Sequence, residues 1–287
     1  MRSAWIARRF SCPGGTVWHQ DSPVAPGVGA SGAGTELAHT IRVRDVYKAF
    51  GSFEVLKGLS IDFADNAITT VLGPSGTGKS VLLKHLVGLL EPDAGEVVVF
   101  GQNIADLTES ERYEFRKRFG VLFQDGALFG SLNLFDNVAF PLRKHTDKDE
   151  AEIGEIVMTR LREVGLENAA TRLPNEVSGG MRKRAGFARA LVLNPAIVMF
   201  DEPDSGLDPV RTSLLNDLIL EMHREHGGTY LLVTHDISTA RKVSDYIGLI
   251  WGGRLVHYGE TEAAFASSHP FVRQFLAGAS AGPLGMD

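Results

Sequence analysis

The stretch Ile68-Thr69-Thr70-Val71-Leu72-Gly73-Pro74-Ser75-Gly76-Thr77-Gly78-Lys79-Ser80 decides how the rest of the chain is read. Its first five residues form a nearly continuous apolar, β-branched run, which fits a strand covered on both faces. From Gly73 to Ser80 the sequence fits G-x-x-x-x-G-K-[ST], and a helical stretch is expected from Ser80 to Leu90. Glycines let the backbone curl so that successive N–H groups point inward at phosphate oxygens. A helix starting near Lys79 adds the positive end of its dipole. In that arrangement Gly73, Pro74, Ser75, Gly76, Thr77 and Gly78 cradle phosphates, Lys79 reaches the β- and γ-phosphates, and the Ser80 hydroxyl ligates Mg²⁺. Strand, loop and helix in that order separate the motif from a chance Gly-rich turn.

Working outward, a phosphate loop needs an acidic partner for its metal. Ile197-Val198-Met199-Phe200-Asp201-Glu202 supplies four apolar strand residues and then two carboxylates. In a parallel sheet the carboxyl end of that strand faces the same crevice as the phosphate loop. Asp201 is expected to hold the Mg²⁺ shell, and Glu202 to polarise the attacking water as general base. A third apolar run, Tyr230-Leu231-Leu232-Val233, leads through Thr234 to His235, which sits at a strand end where it can meet a γ-phosphate. Gln124, after Val121-Leu122-Phe123, reads as a surface amide on residue type alone.

Elsewhere the pattern marks periphery. Ile41-Arg42-Val43 and Ile61-Asp62-Phe63 alternate as half-buried strands do. Thr108-Glu109-Ser110-Glu111 is a capping box opening a helix. Ile153, Ile156, Val157, Leu161 and Val164 follow helical spacing and end at Gly165. The region 106–182 is therefore expected to be a mainly helical insertion. Residues 1–40 carry Pro/Gly clusters and no apolar periodicity, and are expected to be a disordered leader or to follow from a misassigned upstream start.

The chain has 287 residues with 29 Lys+Arg and 35 Asp+Glu, a net charge of 29 − 35 = −6. That balance speaks against a dedicated nucleic-acid binder. One cysteine, Cys12, excludes an intrachain disulfide and suits a reducing compartment. No run approaches the roughly 18 apolar residues of a spanning helix. A soluble, cytoplasmic, globular chain is the expectation.

Val177-Ser178-Gly179-Gly180-Met181 precedes Asp201 by some twenty residues, and together with the motifs above it resembles the L-S-G-G-Q signature of ABC-type ATPases. The resemblance covers roughly residues 41–262, followed by a tail over 263–287. It implies an α/β P-loop NTPase with a RecA-like core, an antiparallel β subdomain and a helical subdomain over about 106–182. It also implies that Ser178, Gly179 and Gly180 serve ATP bound to a second copy of the subunit. Phe50 takes the place of the aromatic that stacks on adenine, and Asp208, in Ser205-Gly206-Leu207-Asp208, falls in the inter-subunit loop. Gln124 becomes the loop glutamine that contacts the metal and senses a membrane partner, and His235 becomes the switch histidine. Val177 and Met181 depart from the usual leucine and glutamine, but they leave the serine and both glycines. The basic Arg182, Lys183 and Arg184 are expected to form a helix face near nucleotide or a solvated surface.

The wording of three segments is similar to one subgroup of that family, the MlaF/MceG-like ATPases that drive lipid traffic with Mce-type lipid-binding proteins. These are 121–129, 178–185 and 201–212; the tail Phe271-Val272-Arg273-Gln274-Phe275-Leu276 adds to the match. The resemblance implies ATP and Mg²⁺ as ligands, a homodimer, an integral membrane permease as partner, and residence at the cytoplasmic face of the membrane. An ATPase of an amino-acid or metabolite importer shares every catalytic motif, and only the subgroup wording speaks against it. A non-transport ABC ATPase of translation or DNA repair usually carries two cassettes or a long heptad insertion, and neither is present.

Overall fold

A computed structural model describes residues 39–124 and 126–283. The expectation for the leader lies outside these residues apart from its last two positions, as do Cys12, Asp125 and the last four residues of the tail. The chain begins with β1 (Ile41–Phe50), β2 (Phe53–Phe63), β3 (Ile68–Leu72) and α1 (Lys79–Leu86). Then come β4 (Ala94–Val99), β5 (Gln102–Asn103), α2 (Glu109–Arg116) and β6 (Phe119–Leu122). Helices α3 (Leu134–His145), α4 (Glu150–Glu163) and α5 (Gly179–Leu191) follow. The remainder is β7 (Ile197–Asp201), α6 (Pro209–His226), β8 (Thr229–Thr234), α7 (Ile237–Val243), β9 (Tyr246–Trp251), β10 (Arg254–Glu260), α8 (Thr261–Phe265) and α9 (Pro270–Leu276).

The central sheet has the order β10-β9-β3-β8-β7-β6. Its inner pairings are parallel, and β10 is antiparallel to β9. Strands β3 and β8 are buried along their whole length, which is why their apolar runs lack alternation. Leu72 pairs with Thr234, and Asp201 with Val233. That register brings the ends of β3, β7 and β8 to one edge, so the phosphate loop, Asp201 and His235 leave the sheet side by side. Phe187 of α5 meets Phe200 of β7 edge to face at 5.1 Å, tying the helix that follows Ser178 to the strand that carries Asp201.

A separate antiparallel sheet, β2-β1-β4-β5, supplies the β subdomain. The three-residue runs at Ile41 and Ile61 extend to strands of 10 and 11 residues. Register shifts between Val43 and Val46, and again beyond, break the two-residue period, which therefore fades from the sequence. Helix α1 stops at Leu86, short of Leu90, because Gly88 adopts φ +66° just beyond it. The capping box at Thr108 and Glu111 is formed. Asp149 caps α4, whose Ile153, Val157 and Leu161 are buried as their spacing predicts. Region 106–182 is not helical throughout: Phe119–Leu122 pairs with β7 as the edge strand of the central sheet.

His85 lies buried in α1 and donates its Nδ1–H to the Val81 carbonyl at 2.7 Å. Burial, aided by the charge of Lys48, holds its pKa below the ordinary histidine value. The unfolded chain takes up this proton near pH 6.5, whereas the folded chain does so only at lower pH. Stability therefore falls as pH drops below about 6.5, by at most about 1.4 kcal/mol per pH unit for this group. Denaturant titrations at pH 7.5 and 5.5 are expected to show a smaller loss for His85→Met than for the parent. Equal losses would remove His85 as the cause.

Candidate active site

The phosphate loop owes its shape to two backbone conformations that L-residues rarely adopt: φ is +79° at Gly76 and +98° at Gly78. A Cβ at Gly78 would stand 2.7 Å from Leu56 Cδ2, so β2 packs directly on the loop. The Thr77 hydroxyl donates to the Pro74 carbonyl at 2.9 Å. Lys79 is buried, and its ammonium donates to the carbonyls of Gly73 at 2.7 Å and Pro74 at 2.8 Å. Burial pushes the Lys79 pKa down, while the charges of Glu202 and Asp201 oppose that shift. The first turn of α1 has no side-chain cap, so no side chain competes for its amides. Ser80 Oγ donates to Asp201 Oδ1 at 2.8 Å across 121 positions of sequence.

Glu202 follows Asp201 with φ +50°, an uncommon conformation for a residue with a Cβ, and its N–H donates to the Val233 carbonyl at 2.8 Å. This turn carries Glu202 toward the end of β8, where its Oε1 lies 3.6 Å from His235 Nδ1. Gln124 is exposed, and its amide donates to Ser205 Oγ at 3.0 Å; the hydroxyl–carboxylate pair is Ser80 with Asp201.

Ser178 caps α5, its hydroxyl accepting from the Met181 N–H at 3.3 Å. Gly179 and Gly180 form the first turn. A Cβ there would meet nothing closer than 3.7 Å at Gly179 and 3.9 Å at Gly180. Nothing within the described chain forces glycine at either position. Asp208 caps α6 by accepting from Arg211 N–H at 3.0 Å, and that backbone bond, with Arg211's charge, holds its carboxyl below the usual carboxylate range. Ser178 and Gly180 line a cleft of about 470 Å³ with Leu207 and Arg211, and its lining includes no phosphate-loop residue. Phe50 ends β1 half-exposed, with the Lys48 ammonium 5.8 Å from its ring centre.

A hydrogen bond thus joins Ser80 to Asp201, Glu202 and His235 lie 3.6 Å apart, and Lys79 feels the charge of both carboxylates, whereas Gln124 bonds Ser205. Ser178 and Gly180 stand at a second cleft of the same chain, which Leu207 also lines, and Asp208 follows Leu207 as the cap of α6. The basic trio differs from its expectation, because each side chain is spent on backbone carbonyls. Arg182 donates to Val177 at 3.0 Å, Arg184 to Val164 at 2.8 Å, and Lys183, itself buried, to Pro203 at 2.7 Å and also to Ser205. Sequence reasoning passed over Asp204 as well. Its buried carboxylate accepts from the Thr234 hydroxyl at 2.9 and 2.7 Å, and burial raises its pKa.

The ABC transporter family matches residues 56–205. The "Probable ribonucleotide transport ATP-binding protein mkl" of Mycobacterium leprae is 51% identical over 246 residues, spanning 86% of this chain and 71% of that protein. The "Intermembrane phospholipid transport system ATP-binding protein MlaF" of Escherichia coli is 40% identical over 248 residues, 86% of this chain and 92% of that one. Among solved structures, cbiO1 of Clostridium perfringens, part of the ABC transporter complex cbiONQ, aligns with TM-score 0.74 at 28% identity over 80% of this chain and 91% of that one. The dimeric post-hydrolysis cassette MJ0796, bound to ADP and Pi, aligns with TM-score 0.71 at 29% identity over 77% and 98%. A phosphate loop running into an uncapped helix, Ser80 bonded to a strand-end aspartate, a serine-glycine helix start at a separate cleft, and these relatives lead to one assignment: the chain belongs to the ABC transporter family, as an ATP-hydrolysing subunit of the MlaF/MceG-like kind.

Proposed function

We propose that this subunit powers Mce-protein-dependent lipid import across the cell envelope, working as a homodimer on the cytoplasmic face of a membrane permease. The observation that carries the lipid reading is the 40% identity to a phospholipid-transport ATPase along 92% of that protein's length. No helix among the described residues is long and apolar enough to cross a membrane, so the spanning part belongs to a partner in this reading.

Within the site, Gly73 to Gly78 and the first turn of α1 cradle the phosphates of ATP, Lys79 bonds the β- and γ-phosphates, and Phe50 stacks on adenine. Ser80 and Asp201 offer a hydroxyl and a carboxylate 2.8 Å apart, a hard-oxygen set that would hold Mg²⁺, whose charge would offset that of the phosphates. Glu202 takes the proton of the attacking water, His235 contacts the γ-phosphate, and Gln124 reports the state of the site to the permease. Ser178, Gly179 and Gly180 close on the partner subunit's nucleotide beside Asp208. Glycines that nothing among the described residues requires suit an approach from outside.

A groove of about 370 Å³ beside Gln124, lined by Tyr113, Phe119, Val121, Phe123, Pro141 and His145, is the surface on which the permease sits in this reading. Tyr113 and Phe123 stand exposed there, 43% and 42% accessible, and aromatic anchors of this kind dominate interface energy. Purification of the full chain from its own membranes is expected to bring down an integral membrane permease carrying lipid. Tyr113→Asp with Phe123→Asp is expected to cut that recovery about tenfold or more. The mycobacterial relatives are named for ribonucleotide transport, and mass spectrometry of the recovered complex separates the two cargoes. Bound ribonucleotide without lipid would overturn the lipid reading.

A further inference from the structure

Two residues after Asp201, the turn Pro203-Asp204-Ser205 collects contacts from three distant parts of the chain. From α5, five positions beyond the Ser178 cap, Lys183 reaches in with a buried ammonium and donates to the carbonyls of Pro203 at 2.7 Å and of Ser205. From the loop after β6, the Gln124 amide donates to Ser205 Oγ at 3.0 Å. From the end of β8, the Thr234 hydroxyl donates to the Asp204 carboxylate at 2.9 and 2.7 Å and accepts the Asp236 N–H at 3.0 Å. The residues on both sides of His235 therefore belong to one hydrogen-bond chain that ends on Asp204. Thr234 is fully buried and Asp204 7% exposed, so water offers little substitute for either bond.

The chemistry of the two charged residues fits a rigid link. An ammonium carries three donors and no acceptor, so it can bind two carbonyls of one turn at once. A buried carboxylate accepting a hydroxyl holds that hydroxyl's rotor, and with it the N–H that points at the hydroxyl oxygen. Beyond the turn the chain continues to Leu207, which lines the signature-side cleft with Ser178 and Gly180. At the opposite end, between the bonded Thr234 and Asp236, stands His235, 3.6 Å from Glu202.

We propose that the Pro203–Ser205 turn is a relay that couples the position of the signature helix α5 to that of His235, with Lys183 and Asp204 as its two positioning residues. A shift of α5 drags the turn through Lys183; the turn moves Thr234 and Asp236 through Asp204, and with them the imidazole facing Glu202. Neither residue touches ATP in this scheme. Their loss is read in turnover and not in nucleotide affinity. The inference rests on the assignment of Glu202 and His235 to hydrolysis given above.

The test is a double-mutant cycle on the full-length protein, using Lys183→Met and Thr234→Val, with kcat and KM for MgATP measured at folding-competent temperature. Each single change is expected to lower kcat roughly tenfold to a hundredfold with KM within about threefold. The double variant is expected to be no slower than the worse single one, because both cut the same link. Lys183→Arg and Thr234→Ser, which keep the donors, are expected to restore kcat to within about threefold of the parent. Effects that multiply, or a Lys183→Met enzyme that cycles within twofold of the parent, would overturn the relay. Should Lys183→Met not fold, Lys183→Gln, which keeps one donor, replaces it in the same cycle. Lys79→Ala run in parallel distinguishes the two failures. A dead Lys79→Ala with multiplicative relay effects removes only the relay, whereas an active one removes the site assignment beneath it.

Discussion

Lys79→Ala is expected to reduce ATP turnover by at least about 10²–10³-fold, to the background of a malachite-green phosphate assay. The reason lies in where the ammonium sits. It is 5% exposed, held by the Gly73 and Pro74 carbonyls at 2.7 and 2.8 Å, within the electrostatic reach of Asp201 and Glu202. A cation fixed in a place with little water stabilises phosphate charge far better than the same cation in solvent. The fold should tolerate the change at a cost of about 1–3 kcal/mol, the usual result of leaving carbonyls short of a donor. The variant should therefore purify as a folded protein with a modestly lower Tm. Hydrolysis at the parent rate by folded Lys79→Ala would contradict the assignment of the phosphate site.

The parts of this site that could be read from sequence are those set by local order. A strand, a glycine turn and a helix start are contiguous over 68–80, and their residue types follow from the backbone shape that they must adopt. Asp201 was legible for a similar reason, because a buried parallel strand leaves an unbroken apolar run that ends at the crevice. The pairing of Ser80 with Asp201 follows once both are placed at carboxyl ends of one sheet, although 121 residues separate them. Lys183 was misread because the sequence shows three basic residues in a row, and such runs usually face solvent. Only tertiary packing reveals that Lys183 meets the Pro203 carbonyl. Asp204 was lost in the same way, since a carboxylate after Asp-Glu-Pro carries no local sign that Thr234 of another strand will bury it. The long strands of the antiparallel sheet were cut to three residues by bulges that shift the side-chain period.

Glu202→Gln is expected to slow hydrolysis by about 10²–10⁴-fold while leaving ATP binding within a few-fold of the parent. Glutamine keeps the size and one carbonyl oxygen of glutamate but cannot accept the proton of an attacking water. The backbone at this position is already in the left-handed region, φ +50°, and is held by the Glu202 N–H to Val233 bond at 2.8 Å. That bond involves no side-chain atom, so the variant should retain the same turn and the same stability. His235 lies 3.6 Å from the carboxylate in the parent, and an amide can still contact it. Substrate should therefore enter and stay. If hydrolysis is what reopens a dimer closed on two nucleotides, stalled chemistry traps the closed form. Size-exclusion chromatography with MgATP should then show Glu202→Gln at twice the subunit mass, while the parent and Lys79→Ala run as smaller species. Full turnover by Glu202→Gln would assign the base elsewhere. Slow turnover without dimers would keep the base and remove the link between hydrolysis and opening.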